Sequence, residues 1–313
     1  MPTSSIFSGR GRGPLARLLA VFLLGLALAT SAQAQSRLDR ILKDKKMTLG
    51  FQEGTHPYSY TDDKGNMLGW SVELSKLLHA TIEKKFNTQI ALDFKPVTPQ
   101  TRIPLVVNGT LDFVLGSTGK TIEREEAVDF SLINNAVCVN MLYRRNKPYK
   151  SYAELGGKRV GVTAGSVEEK VLTEMGQNGK IKPAPKVVTF SSHANGFLAL
   201  DQGQTDVHVT QATALIGLKQ NAKNPNDWVV GGPDLFCIVN GIILPQNDSK
   251  WATTVNHALC YLIVTNQFQT LYDDWFKGPR AKAGFELPLS PKIRTVIDNQ
   301  CPFGSETWLD KKT

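Results

Sequence analysis

The chain has 313 residues, 41% of them hydrophobic and 20% charged, which supplies ample material for a core, suggests two domains by length and excludes intrinsic disorder. Its formal net charge of +8 falls to +5 if the first 34 residues, with three arginines and no acid, are removed. So modest and dispersed an excess argues against nucleic acid as a partner, and the most basic stretch, MLYRRNKPYK (141–150), reads as a solvated connector.

The N-terminus carries Arg10, Arg12 and Arg17 ahead of the apolar run LLAVFLLGLALAT and then SAQAQS. The run falls short of the ~20 residues of a spanning helix, and Ala32-Gln33-Ala34 has the small-residue pattern of a secretory cleavage site. Cleavage is expected after Ala34. No cysteine lies near that point, so a released, soluble periplasmic product is expected.

MTLGF (47–51) reads as a strand, residues 53–70 as a turn-rich segment with a hairpin tip at Asp63-Lys64-Gly65-Asn66, and VELSKLLHATIEKKF (72–86) as a helix. A strand IALDFKPV, a helix around TRIPLVVNGT and a strand LDFVLG follow. Alternation resumes at KRVGVTAGS (158–166), with VEEKVLTEMG helical, KVVTF a strand, HANGFLALDQG helical and TDVHVTQ a strand. The long apolar strands AVCVNMLYRR (136–145) and FCIVNGIILP (236–245) flank this unit as two chain crossings would, and helices return over 251–276. The expectation is an α/β fold of two lobes, each a mostly parallel sheet flanked by helices, with residues 35–143 and 243–313 in the first and 144–242 in the second.

Cys138, Cys237, Cys260 and Cys301 lack the C-x-x-C spacing of zinc or redox sites. In an oxidising compartment three disulfide connectivities are possible, with reduced buried thiols the alternative for Cys138 and Cys237. The expected pairing ties Cys260 to Cys301 and joins Cys138 to Cys237, which lie at the starts of the two crossing strands.

Two strand ends run into glycine-rich loops, GSTGKTIERE (116–125) and TAGSVEE (163–169). In open α/β sheets ligands bind at such ends, where loops and helix N-termini expose amides. Arg124 is the anomaly. Thr121 caps the helix and Glu123 and Glu125 suit its positive end, but a cation in that first turn opposes the dipole, as a carboxylate cradle would require.

With PYSYTDDKGNMLGWSVELS, VTPQTRIPLVVNGTLDFVLGSTGKTIERE, VDFS, VGVTAGS and LYDDWF, the chain resembles the periplasmic solute-binding proteins of amino-acid ABC transporters (family 3), and among them the glutamate/aspartate-binding branch. The resemblance implies the type II binding-protein fold, hinge closure on a small ligand, an inner-membrane ABC permease as partner, a monomer, and neither cofactor nor metal. It further implies that Arg124, with Ser117 and the amides through Gly119, holds the ligand's carboxylate. Arg102 would reach a second acidic group, although by itself it reads as a surface arginine at a helix start. Thr163 and Ser166 would close from the second lobe, His193 would touch the distal end, and Tyr60, with Tyr58, would wall the cleft.

The chain departs from that pattern at Gln52, where the branch has an arginine, and at Gln211, where the family has the aspartate that takes the ligand's ammonium. A neutral Gln211 beside Arg102, Arg124 and a titratable His193 favours a carboxylate solute that need not carry an ammonium. The alternative is that Asp206, Glu53 or water replaces the aspartate. A different class of function is a dehydratase of arogenate-type substrates on the same architecture, with Glu168 or Glu169 as its acid. Both glutamates also suit a helix first turn, and no nucleophile–base pair, metal cluster or cofactor loop is legible.

Overall fold

A computed structural model describes residues 35–278 and 289–310. The leader and its cleavage point lie outside them. In α1 (Arg37–Asp44) Leu38 and Ile41 face the core, and β1 (Lys46–Gln52) follows with Met47 and Leu49 buried. The hairpin β2 (Tyr60–Thr61) and β3 (Met67–Leu68) turns where expected, and α2 (Trp70–Phe86) buries Trp70, Leu74, Leu78 and Ile82 at helical spacing. Next come β4 (Ala91–Val97), the short α3 (Arg102–Val107), β5 (Phe113–Val114) and the single turn α4 (Ile122–Glu125).

The first crossing, β6 (Asp129–Arg144), starts seven residues before the apolar run that marked it in the sequence. Its first half includes the buried Asn134 and Asn135, which break the apolar pattern, and Asn135 Nδ2 donates to Tyr58 Oη at 2.7 Å. The second unit runs β7 (Arg159–Thr163), α5 (Val167–Gln177), β8 (Lys186–Phe190), α6 (His193–Asp201) and β9 (Val207–Gln211). α7 (Ala212–Gln220), which the sequence reading left out, and β10 (Trp228–Gly231) complete it before the second crossing, β11 (Cys237–Leu244). The closing helical segment is three helices, α8 (Ser249–Val264), α9 (Gln267–Phe276) and α10 (Pro291–Asn299), with a left-handed Asn266 (φ 62°) separating the first two.

The main sheet has the order β4-β1-β5-β11-β6-β9-β7-β8, with β10 also on β6. β1 is parallel to β4 and β5, β7 is parallel to β8 and β9, and the crossing strands pair antiparallel. β6 pairs with β11 over Asp129–Cys138 and with β9 over Val139–Leu142, so one strand serves both halves. The apolar interior divides accordingly. Trp70 meets Tyr58, Phe268, Tyr272 and Phe276 edge-on in one cluster, and Val139, Met141, Val160, Val162, Val207 and Val209 build another. Burying an aliphatic or aromatic side chain of this kind contributes roughly 1.5–3 kcal/mol.

Cys138–Cys237 and Cys260–Cys301 are both disulfides, the first across β6 and β11 and the second from α8 to the C-terminal segment. The buried-thiol alternative does not hold.

Candidate functional site

The two loops singled out in the sequence line one small pocket, with about 380 Å³ free of protein atoms, mouth included. Gln52, Arg102, Ser117, Gly119 and Arg124 approach from the half that holds β1 and β5; Thr163, Ser166, Glu168, His193, Thr210 and Gln211 approach from the half that holds β7 and β9. Phe236 and Ile238, around the start of β11, supply apolar wall. Gly119 is required by close approach, since a Cβ there would sit 2.3 Å from Ile238 Cδ1. Gly165, at φ +75°, turns the chain from β7 into α5 in a region that side chains avoid.

Arg102 is not a surface residue. It is 3% exposed, its Nη1 donates to Gln52 Oε1 at 2.9 Å, and its buried Nε has no hydrogen-bond partner. Burial, with the neighbouring Arg124 charge adding to it, lowers its pKa to about 9, so the guanidinium is still charged at neutral pH. Gln52 thus acts through Arg102 as well as lining the pocket.

Arg124 has the cap expected of its turn, its N–H donating to Thr121 Oγ1 at 3.3 Å. Its guanidinium leaves the helix and donates to the Gly119 carbonyl at 2.7 Å and, across the cleft, to the Gly165 carbonyl at 3.2 Å. Both acceptors are neutral, so its charge stays available. Among the described residues, neither Arg102 nor Arg124 forms an ion pair. Two buried or half-buried guanidiniums with no carboxylate in direct contact mark a place where an anion is expected to bind.

His193 opens α6 behind the Ser192 cap and is 6% exposed, with Nδ1 2.7 Å from Thr163 Oγ1. Desolvation, then His208 and Arg102, lower its pKa to about 3. It is therefore a neutral hydrogen-bonding group at physiological pH and not the third positive charge that the sequence suggested. Ser117 Oγ donates across the cleft to Gln211 Oε1, which also accepts from Asn240 Nδ2 at 3.5 Å.

Tyr60 does not reach this pocket. It stacks on His56 with ring centroids 3.8 Å apart in an adjoining cleft, while Tyr58 is buried in the core. The two acids considered as replacements at the Gln211 position are also elsewhere, Asp206 paired with Arg159 at 2.7 Å and Glu53 exposed in the adjoining cleft.

Glu168, named from the sequence only as one of two possible acids of a dehydratase, is a pocket residue. It is 5% exposed and accepts from Thr210 Oγ1 at 3.2 Å, and desolvation raises its pKa. A signal for it exists in SVEE (166–169). Ser166 Oγ accepts from Glu169 N at 3.2 Å and Glu169 Oε2 accepts from Gly165 N at 2.7 Å, a capping arrangement that employs Glu169 and leaves Glu168 out of the backbone cap.

Against known proteins, the chain is 30% identical over 83% of its length to the L-glutamate/L-aspartate-binding protein of Pseudomonas aeruginosa, of which it covers 87%. It is 29% identical to the glutamate/aspartate import solute-binding protein of Escherichia coli, over 86% of this chain and 89% of that one. The crystal structure of an ancestral amino acid-binding protein, described as a precursor of cyclohexadienyl dehydratase, superposes with a TM-score of 0.65 at 24% identity, covering 78% of this chain and all of that one; it bears on the fold alone. Sheet, crossing strands and structural neighbours together give the type II periplasmic binding-protein fold. Residues 47–278 match the family described as bacterial extracellular solute-binding proteins, family 3, and the chain belongs to that family.

Proposed function

We propose that this chain is the extracytoplasmic receptor of an ABC importer, capturing a small carboxylate-bearing solute, an acidic or polar amino acid or a related organic acid. The lobes, 35–143 with 243–313 and 144–242, close on the solute about β6 and β11 and present it to an inner-membrane permease. The observation that carries this reading is Arg102, a guanidinium 3% exposed, with an orphaned Nε and no carboxylate partner among the described residues. A buried cation held this way is costly unless an anion joins it. Arg124 supplies the bidentate fork, and Ser117, Thr163 and neutral His193 supply further hydrogen bonds. The relatives named for glutamate and aspartate point the same way. Release into the periplasm fits both the leader and those relatives.

The test is a thermal-shift screen of the mature protein against amino acids and dicarboxylates, followed by calorimetry. A carboxylate solute that stabilises the protein and loses affinity in Arg102→Ala supports the reading; stabilisation only by solutes without a carboxylate refutes it. Incubation with arogenate is expected to yield no aromatic product.

A further inference from the structure

The pocket holds charges of both signs that do not meet. Arg102 and Arg124 face it from one half and Glu168 from the other, and among the described residues Glu168 forms no ion pair with either. Among the described residues, Glu168 is the one acid lining the pocket. It is held in place by Thr210 Oγ1 at 3.2 Å, with further hydrogen bonds from the Ser166 hydroxyl and from its own backbone N–H. A buried carboxylate is unfavourable, and so are two guanidiniums that feel its charge only across the pocket and without direct contact. Had the fold needed only to neutralise them, a direct contact would have served. Keeping them on opposite walls leaves a gap that suits a solute with its own separated charges.

Gln211 does not provide an anion and has little acceptor capacity left. Its Oε1 already accepts from Ser117 Oγ and Asn240 Nδ2, so its remaining polar group is an amide donor, which repels an ammonium.

We propose that Glu168 is a specificity-determining residue that receives the cationic group of the bound solute, so that the preferred solute is a zwitterion with its carboxylate on Arg102 and Arg124 and its ammonium on Glu168. This rests on the reading of the cleft as a carboxylate-solute site. The charges then balance locally: each ligand group meets its opposite in a site shielded from water, where such pairs are strongest. An amine-free acid places nothing cationic at Glu168, whose carboxyl must stay uncompensated or take up a proton. Burial raises its pKa, and the charge of Arg124 offsets that only in part, which leaves room for a closer cation. The chain therefore discriminates between amino acids and their amine-free analogues through a helix first turn rather than through the end of β9.

Calorimetry on the wild-type protein with L-glutamate, 2-oxoglutarate, L-aspartate and succinate reads this first, without any variant. Each amino acid is expected to bind at least about 30-fold tighter than its amine-free counterpart. Equal or tighter binding of the amine-free acids overturns the role of Glu168 while leaving the carboxylate site intact. Absence of binding by all four overturns this proposal, whereas the broader screen described above still decides the carboxylate reading. Glu168→Gln, with unchanged circular dichroism, is expected to lose about 100-fold in amino-acid affinity and to change amine-free affinity by less than about threefold. Glu168→Asp, which keeps the charge one methylene further back, is expected to recover part of the loss. Equal losses for both solute classes in Glu168→Gln, or no rescue by aspartate, would show a merely structural role.

Discussion

Arg124 Nη2 and the Gly165 carbonyl, on opposite walls of the cleft, are joined by a 3.2 Å hydrogen bond. The contact ties the first turn of α4 to the turn between β7 and α5, so the guanidinium is aimed by both halves at once. Arg124→Ala is expected to weaken carboxylate binding by roughly 2–5 kcal/mol, since it leaves a desolvated anion unpaired. Arg124→Lys restores charge but not the planar fork, and should recover only part of that loss. Calorimetry measures both; an alanine variant that binds within a few-fold of the parent refutes the assignment.

Closure should be visible in solution. Besides β6 and β11, contacts between the halves include Arg124 with Gly165, Ser117 with Gln211, Tyr58 with Thr213, and the exposed Lys170–Glu123 ion pair. A bound solute adds contacts that only the closed arrangement makes and shifts the population toward it. Small-angle scattering is expected to show a smaller radius of gyration on saturation with a confirmed ligand. An unchanged radius counts against hinge closure.

The Cys260–Cys301 disulfide predicts a loss of stability without a loss of binding. Cys260 and Cys301 lie 41 residues apart and tie the C-terminal segment to α8. Closing a loop of that size limits the unfolded chain by about 4 kcal/mol on the chain-entropy scale. The double serine variant should show a lower midpoint in urea while its solute affinity changes little, because neither cysteine lines the pocket. Mass spectrometry of the unreduced protein should find no free thiol; four free thiols would dispose of both bridges.

Acid sensitivity follows from two buried histidines. His193 and His208 lie 6.3 Å apart, and burial lowers their pKa values to about 3 and about 4, against 6.5 in the unfolded chain. Between those values the unfolded state binds more protons, so stability is full above about pH 6.5 and falls as pH drops toward 4. Each histidine contributes a slope of up to about 1.4 kcal/mol per pH unit in that window. Urea melts at pH 7.5, 6 and 5 measure it, and His208→Met should remove its share. A stability independent of pH over this range contradicts the neutral, buried state of both rings.

Local physics made much of this chain legible. The helical spacing of Leu74, Leu78 and Ile82, the alternation of strand with helix, and the glycine-rich turns after β5 and β7 follow from short-range sterics and periodicity, which a sequence carries in full. Arg124 stood out for the same reason, because a cation in a first turn conflicts with a dipole fixed by its immediate neighbours. What local rules could not supply was which side chains turn inward. Arg102 read as a surface residue because helix starts usually are, and only the packing of α3 against β5 and β11 left it 3% exposed. His193 read as a titratable cation, and burial beside Arg102 and His208 made it neutral. Glu168 and Glu169 are indistinguishable as adjacent first-turn acids, and the direction of α5 relative to the cleft sent one to the Gly165 amide and the other to Thr210. The sequence by itself determined most of the elements, though neither α7 nor the polar first half of β6, together with the loops that meet; the tertiary structure alone decided the charge balance of the pocket, because desolvation and ion pairing depend on distances between residues as far apart in the chain as Arg102 and Glu168.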